Sequence, residues 1–168
     1  MSHLLARGNL KTKFGSFQVL IFYDGQIEAT VLQTLNFDTN KDIHLKIQST
    51  CMTSHYFNSL ECSCKKDSDS FQQYISTNGN GLLILLDQEG KSNGNVAHIA
   101  SQNLKESGYN QDEAYVKLGF SVDNRNYSIV PKILSKLNIT SCLLHSKSEK
   151  KLASLKYSDI ECTFLSKN

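Results

Sequence analysis

The sequence predicts an α/β fold, a single domain with a mixed, twisted β-sheet flanked by helices. Three observations lead there. Two β-prone runs, 17–23 and 26–33, flank Asp24-Gly25, a dipeptide suited to the tight turn of a hairpin. Leu82-Leu83-Ile84-Leu85-Leu86 is a continuous apolar run, as in a strand buried on both faces. Beyond it, helix-like and strand-like segments alternate, the order expected when helices pack on a sheet.

The elements follow in order. Ile43 to Gln48 alternates apolar and polar residues, which predicts a half-buried strand after the hairpin. A helix begins near Asp67, whose carboxylate suits a helix start, and ends at the turn 78–81, Asn-Gly-Asn-Gly. The buried strand 82–86 then feeds a polar loop, 87–95, and a helix over 96–107 that stops at Gly108. Pro131 suits the first turn of a helix over 131–137, because its missing N–H is not needed there. Strands are predicted at 140–144 and 159–165, with a helix over 148–156 between them.

Bulk properties narrow the function classes. The 168 residues suffice to bury a core without disulfides, and 39% hydrophobic with 20% charged residues is an ordinary globular balance. A net charge of +2 gives no footprint for a nucleic-acid polymer or a membrane surface. No apolar run reaches the ~18 residues of a membrane span, and the N-terminus lacks a secretion signal. Five cysteines, an odd number, favour reduced thiols and a cytoplasmic location. Arg7 and Arg125 are the only arginines, so Arg125 stands out as a planar fork that lysine does not replace.

The sharpest chemical signal is Cys51, Cys62 and Cys64. Three thiolates suit zinc and leave one tetrahedral position for a water, whose pKa then falls toward ~7. From spacing alone, three unrelated core cysteines or a redox pair stay open, and His55 is a conceivable fourth ligand. Glu89 lies in the loop after the buried strand, where open α/β sheets bind ligands; a solvated connection is the alternative. Asp123, two residues before Arg125, could orient that guanidinium toward a phosphate, or form an exposed ion pair. His145 and Lys150 follow a predicted strand and could line the same cleft or begin a solvated helix.

These motifs resemble GTP cyclohydrolase II, a zinc enzyme family of riboflavin biosynthesis. Its motif His-Ser-Glu-Cys-Leu-Thr-Gly-Asp, then Ser-Leu-Arg-Cys-Asp-Cys-Gly, is similar to Gln48-Ser-Thr-Cys-Met-Thr-Ser-His55, then Ser59-Leu-Glu-Cys-Ser-Cys-Lys65. Its loop Arg-Gln-Glu-Gly-Arg-Gly-Ile-Gly is similar to Asp87-Gln-Glu-Gly-Lys-Ser-Asn-Gly94. Leu-Gly-Phe falls on 118–120 and Asp-x-Arg-Asp-Tyr/Phe on Asp123 to Tyr127. The likeness spans about 12–165, which leaves 1–11 as an N-terminal extension and 12–168 as the domain.

The resemblance implies zinc on Cys51, Cys62 and Cys64 and water attack on a guanine ring with loss of formate. It also implies release of pyrophosphate with Arg125 as nucleophile supported by Asp123. Glu89 then belongs to the substrate loop and Lys150 contacts phosphate. Lys46 and Lys91 stand where the family has arginines, and Gln102 stands where it has a catalytic tyrosine. A phosphorylated substrate would bring Mg2+, and a homodimer is implied. Asp87 and Glu61 replace family arginines and so oppose a triphosphate. The expectation is a zinc-dependent hydrolase of a purine nucleotide or related heterocycle, with His145 supplying the proton transfer that Gln102 cannot. The alternatives are a catalytically silent zinc- and nucleotide-binding regulator, and a repurposed enzyme that modifies another molecule.

Overall fold

The computed structural model describes residues 2–156, 158 and 160–165. Its elements run β1 His3–Thr12, β2 Gly15–Tyr23, β3 Glu28–Thr34, β4 His44–Ser49, α1 Met52–His55, α2 Cys64–Asn78, β5 Gly81–Leu86, α3 Glu89–Ser92, α4 Gly94–Glu106, α5 Gln111–Lys117, α6 Ile129–Lys136, β6 Ser141–Leu144, α7 Glu149–Lys156 and β7 Glu161–Phe164. The seven strands form one sheet in the order β1-β2-β3-β5-β4-β6-β7. Pairing is antiparallel from β1 through β3 to β5 and parallel from β4 through β6 to β7, so the sheet is mixed, as the sequence predicts.

The chain of this α/β domain divides into two compact units, one of residues 1–48, 66–86 and 127–168, the other of 49–65 and 87–126. The first, the sheet unit, takes its core from strand alternation, since successive side chains point to opposite faces. Leu20 and Phe22 of β2, Val31 of β3, and Leu82, Ile84 and Leu86 of β5 pack with Ile129, Ile133 and Leu134 of α6 and Leu155 of α7. On the other face, Phe17, Leu32 and Leu83 pack with Phe71 and Ile75 of α2. Strand β5 is therefore covered on both faces, which is why its sequence is apolar throughout.

Local chemistry sets the turns. In the β2–β3 hairpin, Asp24 Oδ1 accepts from the backbone N–H groups of Gln26 and Ile27, and Gly25 takes φ +97°. The turn consumes residues 24–27, so β3 starts at Glu28 rather than at Gln26. Gly81 opens β5 because a Cβ there would clash with Ile75 Cγ2 and come within 3.0 Å of the His44 carbonyl. Pro131 lies within the first turn of α6, as predicted, but the helix begins two residues earlier, at Ile129.

Strand β1 is the main addition to the predicted elements. Residues expected as an extension pair with β2 from His3↔Tyr23 to Thr12↔Gly15. Nearly every β1 side chain is exposed, so this strand carries no buried-face pattern to read. The last strand is shorter than predicted, 161–164, and Asp159 lies outside the described residues. No helix among the described residues is long and apolar enough to cross a membrane.

The second, helical unit holds α1, α3, α4 and α5. Helix α4 stops where the sequence predicts, with Gly108 at φ +95° and its N–H on the Lys105 carbonyl. Helix α5 was not predicted, yet it starts with a complete capping box. Asn110 accepts from the N–H groups of Asp112 and Glu113, and Glu113 accepts from that of Asn110.

Candidate metal and substrate site

The helical unit gathers eight of the eleven predicted site residues: Cys51, Cys62, Cys64, Glu89, Lys91, Gln102, Asp123 and Arg125. Lys46, His145 and Lys150 belong to the sheet unit.

The three cysteines converge. Their sulfurs lie within 4.8 Å of one another, with Cys51 Sγ and Cys62 Sγ 3.6 Å apart. Cys51 is buried at the start of α1, Cys64 is half-buried and Cys62 is exposed. Ser54 ties the segment together, since its Oγ accepts from the Lys65 N–H at 3.0 Å. Burial pushes the Cys51 thiol up, and burial followed by the neighbouring Cys62 pushes Cys64 up strongly. For Cys62, burial opposes ionisation, but hydrogen bonds from the Cys64 backbone and the Ser54 hydroxyl outweigh it and lower the thiol. Crowded thiols of this kind cannot all ionise alone, whereas a thiophilic divalent cation compensates all three charges. The donor set fits such an ion.

His55 is not the fourth member of this group. Its Nδ1 accepts from the Cys51 N–H at 3.3 Å, which turns the ring to the backbone. A different histidine is the one the sequence reading passed over. His98 of α4 donates from Nδ1 to Glu89 Oε1 at 2.7 Å, and Cys51, Glu89 and His98 also present ligand atoms within 4.8 Å of one another. The Glu89 and His98 side chains are only 10% and 13% exposed. Glu89 Oε2 accepts from the Met52 N–H at 2.5 Å. Eight residues of irregular loop and helix separate Glu89 from His98, so no periodicity links them in sequence.

The loop around Glu89 is shaped by left-handed backbone. Gly90, Lys91 and Ser92 have φ of +59°, +56° and +67°. A Cβ on Gly90 would meet Tyr115 Oη at 3.2 Å and His98 Cβ at 3.3 Å, so glycine allows this close approach. Tyr115 is buried, and burial first, then the Glu89 charge, pushes its hydroxyl up to about 12. The Lys91 ammonium is ion-paired with Asp112.

Asp123 grips Arg125 at three points: Oδ1 accepts from the Arg125 N–H at 2.9 Å and from Nε at 3.0 Å, and Oδ2 from Nη2 at 2.7 Å. The following residues are stitched to the Glu89 loop. Asn124 N donates to the Lys91 carbonyl at 2.9 Å, and Gln88 Nε2 donates to the Asn126 carbonyl.

Gln102 lines an open cleft of about 550 Å3 in the helical unit. Lys105 Nζ reaches Gln102 Oε1 at 3.2 Å and Glu61 Oε2 at 3.3 Å. Thr53, also on the lining, places Oγ1 3.5 Å from Cys51 Sγ.

In the sheet unit, His145 Nε2 lies 2.9 Å from His44 Nδ1, and Tyr74 Oη is 3.3 Å from His44 Nε2. Phe71 meets the His145 ring edge-on at 5.0 Å, and Lys46 Nζ stands 6.0 Å over the Phe71 ring. Burial holds His44 below the usual histidine range, against the opposing charge of Asp42. Lys150 is exposed on α7. Cys142 and Cys162 are register partners on β6 and β7, with sulfurs 3.5 Å apart.

Comparison with known proteins shows the family of the chain. The sequence profile of the family GTP cyclohydrolase II matches residues 4–164. A GTP cyclohydrolase-2 from Campylobacter fetus subsp. fetus is 34% identical over 154 residues, which cover 91% of this chain and 78% of that protein. The riboflavin biosynthesis protein RibBA of Thermotoga maritima is 34% identical over 159 residues, 93% of this chain but 40% of that protein's length. A solved structure, the two-domain 3,4-dihydroxy-2-butanone 4-phosphate synthase RibBX from A. baumannii, shares the fold with a TM-score of 0.51. Its identity is 12%, covering 99% of this chain and 40% of that one, and it speaks for the fold alone.

Proposed function

This chain belongs to the GTP cyclohydrolase II family, and on that basis we propose that it is a zinc-dependent hydrolase that opens the ring of a purine nucleotide or related heterocycle. The observation that carries the reading is the convergence of the Cys51, Cys62 and Cys64 sulfurs within 4.8 Å of one another. Those three residues would hold the zinc. Once bound, zinc supplies Lewis acidity and a water acidic enough to be a nucleophile near neutral pH.

The remaining roles fall to the chain's own groups. Glu89 fixes the Cys51 segment through the Met52 N–H and holds the His98 ring through Nδ1. His98 thereby keeps a fixed tautomer beside the cysteines, as a positioned imidazole requires. Asp123 occupies one edge of the Arg125 guanidinium and so sets the direction in which the fork meets a phosphate or leaving fragment. In this reading Lys46 and Lys150 contact the substrate. His145 moves a proton with His44 as its hydrogen-bond partner. Lys91 reaches a substrate only after exchanging Asp112 for it.

A second reading, a catalytically silent zinc- and nucleotide-binding regulator, draws on one observation. Gln102 has no titratable proton, and its carbonyl is engaged by Lys105. Incubation of zinc-loaded protein with guanine nucleotides separates the two: ring-opened product and formate support the hydrolase, whereas a bound nucleotide recovered intact supports the regulator.

A further inference from the structure

We infer that Cys142 and Cys162 are a peroxide-responsive thiol pair: Cys162 is oxidised first, and Cys142 then closes a reversible disulfide between β6 and β7. Neither residue belongs to the cysteine triad or takes part in the proposed reaction, so the inference stands apart from the hydrolase reading.

Geometry comes first. Cys142 and Cys162 are twenty residues apart in sequence, yet they face each other as register partners on neighbouring parallel strands. Both are free thiols, and their sulfurs are 3.5 Å apart. Neighbouring strands run about 4.8 Å apart, inside the roughly 4.4–6.8 Å Cα separation that a disulfide spans. The strands are fixed on either side of the pair. The Glu161 N–H donates to the Thr140 carbonyl at 2.9 Å, and the Leu165 N–H to the Leu144 carbonyl at 3.0 Å. Closing the bridge therefore takes side-chain rotation, with the strands left in register.

The two thiols are not equivalent. Cys142 is 4% exposed and belongs to the sheet core, while Cys162 is half-buried on β7, at the edge of the sheet. The Cys142 S–H donates to Cys162 Sγ. That bond, opposed by burial and aided by the Leu144 backbone, holds the Cys162 thiol below its usual range. The same bond, then burial, pushes Cys142 up. The thiolate is the reactive form, which makes Cys162 the nucleophile and Cys142 the resolving thiol. A four-residue edge strand also opens more readily than the sheet centre and so admits a small oxidant.

The chemistry balances with hydrogen peroxide as the oxidant. The Cys162 thiolate attacks one peroxide oxygen, the O–O bond breaks, and the departing hydroxide takes a proton to become water. Cys162 is then a sulfenic acid. The Cys142 sulfur attacks the Cys162 sulfur, the S–O bond breaks, and the Cys142 proton leaves with the hydroxyl as a second water. Two thiols thus give up two electrons and two protons to one peroxide. The bridge ties together the two ends of the segment that carries α7 and holds the edge strand to the sheet.

The test is non-reducing peptide mapping of the full, zinc-loaded chain after treatment with hydrogen peroxide, which separates this pair from the triad cysteines. A peptide containing Cys142 joined to one containing Cys162 is expected, released by dithiothreitol. The oxidised parent is expected to melt about 5–10 °C above Cys162→Ser treated alike, the two matching before treatment, because the bridge restricts the unfolded chain. In Cys142→Ala, which lacks the resolving thiol, dimedone is expected to label Cys162 as the sulfenic acid. Both cysteines alkylated as free thiols after oxidation, or Cys162 carried to the sulfinic acid with Cys142 still free, overturns the pairing. Dimedone on Cys142 of Cys162→Ser, with none on Cys162 of Cys142→Ala, overturns the assigned order.

Discussion

Glu89 joins two segments of the helical unit, with Oε1 2.7 Å from His98 Nδ1 and Oε2 2.5 Å from the Met52 backbone nitrogen. One carboxylate thus positions an imidazole and the residue next to Cys51. Replacing it with alanine strands two donors in a site that is about nine-tenths buried. Glu89→Ala is expected to cost about 2–4 kcal/mol and to speed zinc loss to a chelator. Glu89→Gln keeps the shape and is expected to cost less. Thermal unfolding with metal analysis checks this, and an alanine variant as stable and metal-retentive as the parent contradicts it.

The three-point grip of Asp123 on Arg125 predicts that shape matters as well as charge. Arg125→Lys keeps the charge but lacks the planar fork. It is expected to lower kcat about 100-fold or more while leaving stability within about 1 kcal/mol. A lysine variant with parental turnover removes Arg125 from the reaction.

Asp24 gives a pH signature outside the site. The Lys132 hydrogen bond, partly opposed by burial and aided by the Ile27 and Gln26 N–H groups, holds its carboxyl at about 2. Because the folded pKa lies below the unfolded value of 3.8, its stabilisation is complete above that pH and is lost as pH falls toward about 2. With Lys132 39% exposed, solvent screening limits the effect to about 1 kcal/mol. Urea unfolding of Asp24→Asn should show that deficit at pH 7 and a difference from the parent that vanishes toward pH 2. A constant difference across this window contradicts the assignment.

The capping box of α5 offers a cleaner local test. Asn110→Ala removes the acceptor for the Asp112 and Glu113 N–H groups and is expected to cost about 1 kcal/mol. Asn110→Asp should restore most of it. Denaturant midpoints decide, and equal losses for both substitutions would show that the side-chain cap does not matter.

What the sequence revealed depended on whether the signal was local. The β2–β3 hairpin, β5 and the stop of α4 each rest on neighbouring residues, Asp24-Gly25, the run 82–86 and Gly108. The cysteine triad was legible because the residues around Cys51, Cys62 and Cys64 resemble a family motif; spacing alone left unrelated thiols or a redox pair open. Strand β1 was not, since pairing with β2 buries almost none of its side chains. The Asn110 cap was legible in principle, because Asn-x-x-Glu is the pattern of a capping box, but α5 is only seven residues long. His98 and Tyr115 reach Glu89 through the packing of α4 and α5, and nothing in the chain order announces that meeting.

The most direct test of the central claim is mass spectrometry of zinc-loaded protein incubated with guanosine, GMP, GDP and GTP, alongside the Cys62→Ala variant. The account predicts a ring-opened, deformylated product from at least one of them, and none from the variant. Intact substrates throughout, with one zinc per parent chain confirmed, would contradict a hydrolase and leave the metal a structural role.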